Sequence, residues 1–137
     1  MSPDTVLETD TTPSTVALAL VNKIGHHYVL TWDGKDWILT TATGRVVPWL
    51  VAQSHINDNP LVVAGSPNSP YLVKYTNYRG ETGVRFIQPV MLWWGSTTGH
   101  PEPQWFLTSI DKERNVSRDF ALKDFHEFEE STSALPQ

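Results

Sequence analysis

Cysteine is absent from the 137 residues, so disulfide frameworks, thiolate metal sites and cysteine nucleophiles are all excluded. Positive charge is also scarce: ten Lys and Arg face fifteen Asp and Glu, for a net charge of -5. A chain of that balance does not coat duplex nucleic acid by bulk electrostatics. Long apolar runs are missing. The run Val16-Ala17-Leu18-Ala19-Leu20-Val21 falls far short of the roughly 20 residues a membrane-spanning helix needs. The opening Met1-Ser2-Pro3-Asp4 lacks the basic start of a secretory signal. We therefore expect a cytoplasmic protein with no membrane partner.

Catalytic signatures are lacking too. There is no nucleophile elbow, no phosphate-cradling glycine loop and no Ser/His/Asp grouping. His26, His27, His55, His100 and His126 show no helical metal-ligand spacing, and adjacent His26 and His27 on a strand would point to opposite faces. Asp33 and Asp36 flank a tight turn, where Asx hydrogen bonds account for carboxylates without acid/base work. We expect neither an enzyme nor a metal or other cofactor.

What the chain has in quantity is aromatic residues: six Trp, four Tyr and five Phe. Aromatic and β-branched residues favour strands and binding surfaces. With 39% hydrophobic and 18% charged residues, the composition is that of an ordinary globular protein rather than a disordered one.

Strand patterns dominate the pass along the chain. Thr15 to Asn22 and His26 to Asp33 are apolar, β-branched and aromatic. Between Tyr28-Val29-Leu30-Thr31-Trp32 and Trp37-Ile38-Leu39-Thr40-Thr41 lies Asp33-Gly34-Lys35-Asp36, and Asp-Gly between β-formers is a strong hairpin signal. Pro48 to Ile56 fits one short helix, Pro being tolerated in a first turn; the valines nearby leave a strand as the competing assignment. Asn57-Asp58-Asn59-Pro60 and Gly65-Ser66-Pro67-Asn68-Ser69-Pro70 then break the chain. Strands follow at Tyr71 to Thr76, Gly83 to Leu92, Gln104 to Asp111 and Val116 to Leu122. Asp119 to Glu130 has an amphipathic helix as its alternative. Alternation along Trp93-Trp94 would bury one ring and expose the other as an interface anchor.

Many short strands with little helix indicate a mainly β fold. The expected organisation is a flexible lead-in at 1–13, a β-meander subdomain at 14–57, a linker at 58–70, a small barrel at 71–130 and a flexible tail at 131–137. Exposed strand edges would allow a homodimer.

Four pieces of the second half occur in a familiar order: Tyr71-Leu72-Val73-Lys74-Tyr75 with Asn77-Tyr78-Arg79-Gly80-Glu81; Val84-Arg85-Phe86-Ile87-Gln88-Pro89; Trp105-Phe106-Leu107; and Arg118 with Phe120 and Leu122. Together they resemble the WYL domain, a ligand-sensing β-barrel named after a Trp-Tyr-Leu tripeptide, over roughly residues 70 to 128. The resemblance implies an Sm/SH3-like barrel and ligand contacts at Arg85 and Arg118, with Trp105 and Phe106 in the naming tripeptide. Guanidinium groups match phosphate or carboxylate in a bidentate manner, and an aromatic face beside them suits stacking on a base. Tyr78 and Arg79 would close one side of the site. The bland alternatives are that the arginines are solvated strand residues paired with carboxylates, and that the aromatics belong to the core.

Two departures from the family pattern matter. Phe106 replaces the central Tyr and removes a hydroxyl. Ala121-Leu122-Lys123-Asp124 stands where the family has Arg-Leu-Asp-Arg, removing two arginines. The resemblance thus implies a regulatory sensor or adaptor that takes a nucleotide or single-stranded nucleic acid and signals to a protein partner, as in transcriptional and defence-associated regulators. The alternative is a phage-borne or anti-defence protein-interaction module in which the barrel is only scaffold. The acidic first half, with three basic and six acidic residues over 1–69, favours that alternative.

Overall fold

The computed structural model describes residues 15–56, 59–64 and 70–130. The expected flexible lead-in at 1–13 and tail at 131–137 lie outside the described residues. Among the described residues the fold is mainly β, as expected, with one short helix.

Period-two alternation builds the first strands. In β1 (Val16–Val21), Val16, Leu18 and Leu20 are buried while Ala17 and Ala19 face out. β2 (His27–Trp32) and β3 (Trp37–Thr41) continue the meander, with Leu18 opposite Leu30 and Leu30 opposite Leu39. Asp33 makes the β2–β3 turn: its Oδ1 accepts the N–H groups of Lys35 (2.8 Å) and Asp36 (2.7 Å), and these donors hold its carboxyl below the usual range. Gly34 takes the positive φ of 102° that a side chain would resist.

Helix α1 (Trp49–Ile56) follows, its first turn closed by N–H groups of Val51 and Ala52 donating to Pro48 O. Ala52 and Ile56, four residues apart, share the buried face; Leu50 and Val51 look outward. The helical assignment of this segment holds because those two positions find a core to fill.

The stretch expected as a linker at 58–70 contains β4 (Leu61–Val63), which pairs with both β1 and β6. Its Asn and Pro signals mark chain breaks locally, but Leu61 is fully buried and the short strand joins the two halves into one sheet.

β5 (Tyr71–Thr76) and the long β6 (Thr82–Gly95) come next, then β7 (Gln104–Asp111) and β8 (Val116–Ala121). A 3₁₀ turn, Leu122–Asp124, leads into β9 (Phe125–Glu130). The helix considered over 119–130 is not formed. Phe125 and Phe128 are buried instead as strand residues, accommodated by a register shift at Lys74/Tyr75 of β5.

β6 organises the sheet. One edge pairs with β5 over residues 82–87 and then with β4 at Met91 and Leu92; the other edge pairs with β7. Ile87 and Leu92 both face the core although their spacing is odd. The irregularity between Pro89 and Met91 supplies the extra residue that turns the inward set over, and Pro89, with no N–H to give a ladder, is suited to that place.

The expected small barrel is not confirmed, because the sheet does not close. The sheet runs β3-β2-β1-β4-β6-β5-β9, with β7 and β8 branching from β6, and stays open. Its two path ends meet through rings rather than backbone hydrogen bonds: Trp37 of β3 contacts Phe125 and Phe128 of β9, each at 5.1 Å between centroids. β6 gives the edge beyond Ile87 to β4, which brings in the N-terminal meander. One contiguous core spans both halves, from Val16 to Phe128.

Candidate functional site

Three connections from the second half meet around a cleft of about 620 Å³: the β5–β6 turn, the β6–β7 loop and the β7–β8 hairpin. Arg79, Arg85, Arg114 and Arg118 all line it, with the Tyr78 ring and His100. The topology explains the convergence. β7 leaves β6 at the Ile87–Asp111 pair, so Arg85, two residues earlier on β6, has β5 on one side and no β7 partner on the other. Arg118 stands opposite Ser109 on β8.

Local hydrogen bonds shape each wall. Asn77 Oδ1 accepts the N–H groups of Arg79 (2.9 Å) and Glu81 (3.0 Å), an Asx turn, while its amide donates to Glu81 Oε1 at 3.0 Å. That fixes the turn and presents Tyr78, 59% exposed, with Arg79 over its ring at 5.5 Å. Across the cleft, Gly99 lies against the same ring; a Cβ there would come within 2.9 Å of it. His100 packs its edge on Phe106 at 5.6 Å and brings Nε2 to 3.4 Å from Asp124 Oδ2.

The charges are arranged asymmetrically. Asp111 is fully buried beneath the hairpin. Its Oδ1 accepts from Glu113 N and Arg114 N, and its Oδ2 lies 3.6 Å from Arg114 Nη1 and 3.7 Å from Arg118 Nε. One carboxylate therefore orients two guanidinium groups that remain about half exposed. Asp119 is held by the Thr108 hydroxyl, which donates at 2.6 Å and itself accepts from Trp93 Nε1 at 2.7 Å. Tyr75 forms part of the floor; its hydroxyl accepts from Ala121 N at 2.8 Å. Burial pushes this phenol up to about 12, the Ala121 bond opposing and the Asp124 and Asp119 carboxylates adding to the rise. The carboxylates lining the cleft, Glu81 and Asp119, are both engaged, and four cations outnumber them.

Of the residues expected at a site, Arg85, Arg118, Tyr78 and Arg79 come together. Trp105 and Phe106 do not join them. Phe106 is completely buried and stacks on Trp93 at 4.9 Å, so it is a core wall rather than an open stacking face. Trp105 turns to the other face of β7, against Trp49 (5.1 Å) and Trp94 (5.4 Å), and lines a different pocket. Trp93 and Trp94 are each half-buried instead of one in and one out. Arg114 and His100 are not among the residues expected at the site; their sequence signal is no more than a charge in a hairpin turn and a histidine after glycine.

Among the described residues no group of three or more His, Asp or Glu is placed to hold a metal ion, and no helix is long and apolar enough to cross a membrane. No family model, curated protein or solved structure matches the chain.

Proposed function

We propose that the arginine cleft binds a phosphate-bearing ligand of nucleotide type, and that the chain is a non-enzymatic, WYL-like sensor or adaptor that passes the bound state on to a protein partner. The observation that carries this is the convergence of Arg79, Arg85, Arg114 and Arg118 on one cleft beside an exposed tyrosine ring. Guanidinium forks suit phosphate oxygens, and Asp111 holds two of them in place before any ligand arrives. With Phe106 and Trp105 turned away, Tyr78 is left as the stacking face, which suits one base rather than a run of bases. A mononucleotide, a cyclic nucleotide or one nucleotide of a single strand fits that inventory.

The test is titration of cyclic nucleotides and short labelled single strands into the protein and an Arg85→Ala/Arg118→Ala double variant, followed by calorimetry and anisotropy. The native protein should bind more weakly as salt rises, and the variant should lose about tenfold or more. Absence of binding at low salt, or equal binding by the variant, overturns the proposal.

A second assignment, a protein-interaction module with the sheet as scaffold, draws on the outer face of α1. Leu50 there is 82% exposed, and Val46 and Val51 are exposed near it. Retained partner capture by the arginine double variant, together with its loss in Leu50→Asp, would favour that assignment.

A further inference from the structure

The strands of the two halves differ in charge. None of β1 to β4 contains a Lys, Arg, Asp or Glu, whereas each of β5 to β9 contains at least one: Lys74, Arg85, Asp111, Arg118 and Glu127 in turn. The inward positions of the first strands are core leucines such as Leu18, Leu30 and Leu39, where burial demands apolar side chains. The outward positions are under no such demand. An antiparallel sheet with one face on the core normally turns polar side chains to water on the other.

Strand register places the outward set. Ile38, Thr31 and Ala17 form one row across β3, β2 and β1, and Thr40, Val29 and Ala19 form the next. Val21, Val62 and Met91 carry the face on across β1, β4 and β6. This face is open: Ala17 and Ala19 are exposed, Val62 is 46% exposed, and the other side chains of the three rows are half-buried. Contiguous uncharged surface of that kind marks an interaction site.

Two observations select the partner. The chain carries a net charge of -5, so a second copy is repelled where charged faces meet, and these rows let two copies meet without desolvating a charge. The relief is also complementary to itself. Alanines make β1 a furrow, and Val29 with Thr31 makes β2 a ridge beside it. A two-fold axis running along the strands between β1 and β2 lays the ridge of each copy in the furrow of the other, so that Val29 of one copy meets Ala19 of the second.

We propose that this uncharged face is a self-association surface on which two copies of the chain pack sheet on sheet, about 10 Å apart. At roughly 30 Å² of sheet per outward position, the three rows supply about 300 Å² of flat contact a copy. That fits a reversible dimer rather than an obligate one. None of the residues lining the arginine cleft lies on this face, and the pairing is independent of the ligand proposed there.

Sedimentation equilibrium over a concentration series, at low and high salt, is the test. The native chain should pass reversibly from monomer to dimer, more readily as salt screens the net charge. In NMR, concentration-dependent methyl shifts should fall on Val29, Ile38 and Met91 and spare Leu18 and Leu30. Ala19→Glu and Val29→Lys, each checked for native Leu18 and Leu30 signals, should alone dimerise about tenfold or more weakly, because each buries an unpaired charge. Mixing the two should restore dimers, since the mixed pair sets Glu against Lys at one contact and keeps valine on alanine at the other. Val84→Lys, at an exposed position off this face, and Arg85→Ala/Arg118→Ala should dimerise as the native chain does. A chain monomeric at every concentration, methyl shifts confined to other surfaces, or no recovery on mixing would overturn the proposal. Through-space contacts from residues 1–14 to these methyls in the monomer would overturn it too, by giving the face to the chain's own segment.

Discussion

The buried carboxylate of Asp111 reaches diagonally across the β7–β8 ladder to Arg118, its Oδ2 3.7 Å from the guanidinium Nε. The same side chain caps the hairpin turn through Oδ1, so one residue both closes the turn and orients a cation of the cleft.

Asp111→Ala should therefore lower stability by about 2–3 kcal/mol, since it removes the acceptor for two turn N–H groups and the anion beneath two arginines. Asp111→Asn keeps an oxygen for the turn and should lose roughly half as much. Urea unfolding of the three proteins checks this, and an alanine variant as stable as the native chain would contradict it.

Tyr75 gives a prediction at alkaline pH. Its phenol is raised to about 12 from the ordinary tyrosine value of 10.0, so the folded chain holds this proton where the unfolded chain has released it. The stabilisation is fully present below pH 10 and is lost as pH rises through about 12. It amounts to about 2–3 kcal/mol, at 1.36 kcal/mol per pH unit. Tyrosinate absorbance should show a late-titrating tyrosine that disappears in Tyr75→Phe. At neutral pH the same variant should cost about 1–2 kcal/mol, because Ala121 N–H loses its acceptor in a buried place.

Thr108→Val tests the relay from Trp93 through Thr108 to Asp119. The valine keeps the shape and removes the hydroxyl, leaving the Trp93 N–H and one Asp119 oxygen without the partner they have now. A loss of about 1–2 kcal/mol is expected, together with an altered Trp93 indole N–H resonance. Unchanged stability and an unchanged spectrum would mean the relay contributes nothing.

For the cleft itself, salt dependence measures how many arginines touch phosphate. Each phosphate neutralised on a single strand contributes about -0.7 to the slope of log K against log salt. The Arg85→Ala/Arg118→Ala variant, if residual binding is measurable by anisotropy, should have a slope shallower by about 1.4 if each arginine meets one phosphate. An identical slope would place both side chains outside the interface.

Much of the strand inventory was legible because alternation is a local property. Val16, Leu18 and Leu20 repeat every second residue, as do Tyr71, Val73 and Tyr75, and Asp33-Gly34 marks its turn without help from elsewhere. β9 was less legible because Phe125 and Phe128 are three residues apart, a spacing that reads as helical until a shift on the neighbouring strand absorbs the odd residue. β4 was hidden for another reason: three residues between two breaks carry no period at all, and only Leu61 fitting between β1 and β6 makes them a strand.

The amino-acid sequence by itself determined that this chain would be built of short, aromatic-rich strands without disulfides, and that its cations would gather in the second half. Which of those cations share a cleft was decided by tertiary structure. Arg79 and Arg85 belong to the β5–β6 hairpin and Arg114 and Arg118 to the β7–β8 hairpin, brought together only because β6 pairs with β5 and β7 on opposite edges and each partner ends in a turn on the same side. Alternation alone puts Trp105 and Phe106, adjacent in sequence, on opposite faces of β7; the pairing decides that one of them lines a pocket and the other fills the core. Local pattern assigns a residue to a face; only the pairing of strands distant in sequence assigns that face to a neighbour.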